Sequence, residues 1–169
     1  GNSVKLDTNY LIIGASNSDV GEGSAYIFEL SGNSWEQKAR LTASDPYDYD
    51  FFGYSVSIYG TRAIVGAYNN DDGGNGTGSA YIFELSGNSW PQISKLLAND
   101  PGVAAKMGTS VAIFGDYAVA AAESDDANSI TDSGSIYLFE RTVTDGTVQW
   151  SQKHKIVSSD PANGERFGS

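Results

Sequence analysis

Cysteine is absent, histidine and methionine occur once each, and proline appears only four times in 169 residues. Without cysteine there is no disulfide framework, no thiolate metal site and no thiol nucleophile. The single histidine, His154, sits inside the strand-like pattern "QKHKIV". A serine or threonine nucleophile would therefore have no second imidazole to turn to as its base, which argues against an enzyme. Basic residues are also scarce: ten Lys and Arg against 21 Asp and Glu give a net charge of -11. Lys and Arg drive binding to phosphate backbones, so this balance makes nucleic acid and anionic membrane poor partners. No apolar run approaches the roughly 18 residues that span a bilayer, and "GNSVKLDTNY" lacks the regions of a signal peptide.

What the chain does have is self-similarity. "GSAYIFELSGNSW" occurs at Gly23 to Trp35 and again, letter for letter, at Gly78 to Trp90. Around it a longer unit recurs three times. "SVKL", "SVSI" and "SVAI" follow Gly1, Gly53 and Gly108, and Gly168 opens a further copy. "YLIIGAS", "RAIVGAY" and "YAVAAAE" come next, then "GSAYIFE" twice and "GSIYLFE", then Trp35, Trp90 and Trp150, then "ARLTASDP", "SKLLANDP" and "HKIVSSDP". Unit lengths of 52, 55 and 60 residues lie in the range of stacked repeats.

Each landmark is short, rich in Val, Ile, Tyr and Phe, and bounded by Gly, Asn, Asp or Ser, which predicts a strand between turns. No segment carries helical apolar spacing. The pattern therefore predicts an all-β chain of three four-stranded antiparallel β-propeller blades, at residues 1–52, 53–107 and 108–169. Small residues in the second strand, Gly14, Gly66 and Ala121 among them, would let neighbouring sheets approach closely. The three tryptophans would pack between blades, and each Asp-Pro would cap the turn that leaves the outer strand.

"FGYSVSIYGTRAIVGAYNN", "GSAYIFELSGNSW" and "KLLANDP" resemble the FG-GAP repeat, the blade unit of integrin α-subunit propellers and of many bacterial extracellular proteins. The connections "LDTNYL", "IYGTRA" and "IFGDYA" depart from the calcium loop of integrin-type blades, so the resemblance is to the bacterial variant without that loop. It implies an extracellular or cell-surface location and no defined enzymatic activity. Propellers have four to eight blades, so three leave two blade faces uncovered. A homodimer joined through the terminal blade faces would give six blades; the alternatives are part of a longer propeller and a compact three-blade form.

In an up-and-down blade the second-to-third-strand loop and the exit from the fourth strand open on the same side. Those segments hold 14 of the 21 acids and only Lys106 and Arg166 of the ten bases, which predicts one acidic rim. Two features on it are candidates for function. "DPYDYDFF" sets Tyr47 and Tyr49 beside Asp48 and Asp50, a combination suited to a glycan because CH groups stack on the ring and hydroxyls donate to the carboxylate. "NNDDGGNGT" and "ESDDANSITD" supply Asp71, Asp72, Asn75, Asp125, Asp126 and Asp132, oxygen ligands of the kind Ca2+ takes, without EF-hand spacing. Asn75 also opens an N-glycosylation triplet. Adjacent loop acids do not make a catalytic pair, and no carboxylate is predicted to be buried. The sequence thus favours a binding or adhesion module for a glycan or an extracellular protein; a structural building block of a surface assembly is the alternative.

Overall fold

A computed structural model describes residues 1–169. Twelve strands form three four-stranded antiparallel sheets, each in simple meander order. The first sheet comprises β1 (Ser3–Asp7), β2 (Tyr10–Ala15), β3 (Ser24–Ser31) and β4 (Ser34–Leu41). The second comprises β5 (Ser55–Tyr59), β6 (Arg62–Ala67), β7 (Ser79–Glu84) and β8 (Gln92–Leu96). The third comprises β9 (Met107–Phe114), β10 (Tyr117–Ala122), β11 (Ser135–Thr144) and β12 (Thr147–Ile156). First strands pack against one another across blades while fourth strands splay apart, which is the radial arrangement of propeller blades.

The alternating apolar residues of each strand serve two different neighbours, because side chains at i and i+2 share a face. In the middle blade Val65 faces the first blade and Ile64 the third, and both are fully buried. Two cores result, one at each joint between blades. The first unites Ile12, Ile27 and Leu41 with Val56, Ile58, Tyr81 and Phe83; the second repeats the arrangement one blade on. Glycine in the second strand permits the approach: a Cβ on Gly14 would lie 2.0 Å from the carbonyl oxygen of Gly53, and one on Gly66 would lie 2.1 Å from that of Gly108.

Two further features recur. The segment leading into each next blade stays docked on the blade before it: Phe52 N–H donates to Glu22 O, Met107 to Thr77 O and Phe167 to Ser133 O, at 3.2, 2.8 and 2.9 Å. The third-to-fourth-strand pairing also shifts register at one fixed place, after Ile27, Ile82 and Leu138. Such bulges bend and twist the outer strand.

The tryptophans pack between blades as expected where a preceding blade exists. Trp90 meets Tyr10 edge-on at 5.4 Å and is buried, and Trp150 packs against the second core. Trp35, on the outward face of the first blade, is 40% exposed. The Asp-Pro aspartates do something other than cap their own turns. Asp45 accepts from Tyr81 Oη at 3.1 Å and from Lys95 Nζ at 2.7 Å, and Asp100 accepts from Lys155 at 2.9 Å, each reaching into the following blade. Asp160, in the third blade, instead turns back to accept from Ser158 and Ser159. The Asp-Pro unit is therefore a latch between blades.

Candidate functional site

The predicted rim exists. The loop before β3 and the exit from β4 lie side by side, with Tyr49 N–H on Val20 O and Phe51 N–H on Gly21 O, and the same pairing recurs at the next two junctions. Its charge differs from the loop count. Arg40, Lys95 and Lys155 stand at the ends of their fourth strands and pair with Asp19, with Asp45 and Asp72, and with Asp100 and Asp125. With Lys106 and Arg166 they set five bases against the fourteen acids, so the rim is still strongly negative.

One cleft on this rim, of about 330 Å3, is lined by Asp45, Tyr47, Asp50, Asn70, Asp71 and Asp72. It forms where the exit of the first blade runs beside the second-blade loop before β7. Tyr47 from "DPYDYDFF" and Asp71 and Asp72 from "NNDDGGNGT", separate in sequence, meet here. Asp50 forms its floor. Contrary to the expectation of exposed acids only, Asp50 and Asp125 are each 3% exposed. Asp50 can be buried because Asn70 Nδ2 donates to it at 2.9 Å. Burial nonetheless pushes its carboxyl above the ordinary value, and the Asn70 hydrogen bond and the positive charge of Lys95 only partly oppose this.

Lys95 holds two of the lining carboxylates. It pairs with Asp45 and Asp72 and lies 5.1 Å from the centre of the Tyr81 ring. Burial disfavours its charge, but the two carboxylates outweigh that and hold its ammonium above the usual lysine range. Burial raises Asp45, and Lys95 overcomes it, so that carboxyl sits below its ordinary value. The Tyr81 phenol, desolvated behind them, is pushed up to about 12 and stays neutral.

The remaining candidates fall elsewhere. Tyr49 is exposed beside Phe51, which stacks on Tyr68 at 5.2 Å, and Asn69 Nδ2 donates to the Tyr49 carbonyl. Asp48 and Asn75 are exposed outside the cleft lining. Asp125 is committed to Lys155, and Asp126 accepts from the Asp132 N–H at 2.9 Å. Asp71 likewise accepts from Gly76 N–H at 2.6 Å. No group of three or more His, Asp or Glu side chains is spaced to hold a metal ion in this arrangement. His154 is exposed on the outermost strand, opposite Leu138.

The order of landmarks, three meander blades and joints closed by the lead-in glycine all point one way, and the FG-GAP repeat profile matches residues 35–83 and 90–139. The chain belongs to the FG-GAP repeat family. A search of curated proteins returns no match. FG-GAP blades form β-propeller modules that often serve adhesion or binding, are generally non-enzymatic and are typical of extracellular or surface proteins. No helix here is long and apolar enough to cross a membrane. Within the three blades of this FG-GAP chain the cleft is particular to the first junction. The positions of Tyr47 and Asp50 are taken at the second by Gly102 and Ala105, which offer neither ring nor acid.

Sequence reasoning missed Asp45 and Asn70 as cleft residues, and Lys95 as the cation that holds Asp45 and Asp72. A signal for Lys95 was present: Arg40, Lys95 and Lys155 each directly precede the last apolar residue of the fourth strand. Nothing comparable marks Asn70, whose counterparts are Ser18 and Asp125.

Proposed function

We propose that this chain is a non-enzymatic extracellular binding module that takes a glycan in the Tyr47 cleft. The observation that carries the reading is the convergence of one exposed aromatic ring with Asp50, Asp71 and Asp72 around a cleft of about 330 Å3. Sugar hydroxyls donate to carboxylate oxygens while a CH face covers the Tyr47 ring, which is 72% exposed and free to receive it. The carboxylates are held in place rather than waving in solvent: Asp50 by Asn70, Asp71 by a backbone N–H, Asp72 by Lys95. A fixed acceptor set costs less ordering on binding than a mobile one.

The test is a glycan panel probed with the purified chain, with and without a chelator. Binding that persists in chelator and falls about tenfold or more in Tyr47→Ala supports the reading, since a stacked ring is worth about 0.5–1.5 kcal/mol beyond its buried area. Absence of binding to every glycan, or binding unchanged in Tyr47→Ala, refutes it.

A further inference from the structure

The two joints inside the chain are one lock made twice, and its two halves are left open at opposite ends of the molecule. We propose that a second copy of this chain closes them, the outward face of its first blade receiving the outward face of the third blade, so that two chains form a six-bladed ring.

The lock has a giving side and a receiving side. At the first joint the giving side supplies Leu41, the Ser44 N–H, Asp45 and Phe52. The receiving side answers with Phe83 and Trp90, with Gln92 Oε1 3.0 Å from Ser44 N, and with Tyr81 and Lys95 on Asp45. Phe52 meets Tyr81 and Phe83 edge-on at 5.3 and 6.0 Å. The second joint repeats this with Asn99 N–H on Gln152 at 2.9 Å and Asp100 on Lys155 at 2.9 Å.

The third blade carries an unused giving side. Ile156, the counterpart of the buried Leu41 and Leu96, is 43% exposed; Phe167, counterpart of the fully buried Phe52, is only half-buried; Asp160 has no partner beyond its own turn. The first blade carries an unused receiving side. Tyr26 and Phe28 are half-buried where the identical Tyr81 and Phe83 are 0% and 2% exposed, and Trp35 is 40% exposed where Trp90 is 6%. Arg40 stands where Lys95 and Lys155 stand, and it pairs with Asp19 of its own blade but with no Asp-Pro aspartate.

The occupant is thus defined by chemistry: apolar Ile156 and Phe167 against Tyr26, Phe28 and Trp35, anionic Asp160 against cationic Arg40. Head-to-tail contacts of this heterologous kind close into a ring when the rotation allows, and two three-blade chains reach a blade number that propellers use. Each pair of chains then holds two identical joints, related by a two-fold axis along the propeller axis.

Light scattering and sedimentation equilibrium on the full chain provide the test. The expected result is twice the 17.9 kDa chain mass. Ile156→Asp and Trp35→Asp, at positions exposed in the single chain, each raise the dissociation constant by about tenfold or more, the effect of losing about 1.4 kcal/mol. Val143→Asp, on the exposed tip of the third blade, changes nothing. Asp160→Arg alone weakens the pair, and Asp160→Arg with Arg40→Asp restores it. A mass of one chain, an open polymer, or a dimer that Ile156→Asp and Trp35→Asp leave intact overturns the proposal.

Discussion

Asp45 and Asp50 stand five residues apart on one segment, and their carboxyls are displaced in opposite directions. Asp50 is raised by burial, so its ionised form weakens the native state at neutral pH. Asp50→Asn should raise the melting temperature at pH 7, and the gain should close as pH falls below about 3.9, where the unfolded carboxyl is itself protonated. Asp45, whose burial is outweighed by Lys95, is lowered. Its contribution is present above the unfolded value and is lost as pH falls through the folded one. Lys95→Met should cost about 1–3 kcal/mol in urea unfolding at pH 7, because it leaves Asp45 and Asp72 facing each other without a cation. Lys95→Arg should recover most of the loss. Which of the many acids would be buried was not legible in the sequence, because Asp50 depends on Asn70, twenty residues away on another blade.

At the level of strands and loops the reading from sequence went furthest, and the reason is repetition. Three occurrences of each landmark separate a strand from a chance apolar run, and the unbroken apolar run within "RAIVGA" fits a strand covered on both faces. Loops were legible as a side of the molecule but not as a site. Asp and Asn in a turn bond to nearby backbone N–H groups as readily as to a ligand, and Asp71 and Asp126 do so. Addition of Ca2+ should therefore leave the melting temperature where a chelator leaves it; a marked rise would mean that the loop acids regroup around the ion. The second-strand glycines offer a sharper check. Gly66→Ala should destabilise by about 1–3 kcal/mol, since its methyl meets a backbone oxygen that cannot move without opening the joint. The third blade already has Ala121 at that position, on its outward face.

For the molecule as a whole, what the sequence could not express was direction. Identical letters, Tyr26 and Tyr81, are half-buried in one place and sealed in the other because burial belongs to the neighbour and not to the residue. The same asymmetry gives the array a giving end and a receiving end. It also bears on how such a chain can change length. The two copies of "GSAYIFELSGNSW" begin at Gly23 and Gly78, one full blade apart. Genetic exchange between them would add or remove a whole blade in frame. The crossover would fall inside a third strand and the turn that follows it, leaving the lead-in glycine, the latch aspartate and its lysine in their proper order. A scaffold jointed in this way keeps the parts of each joint in order when its length changes by copying error, while the rim loops are free to diverge.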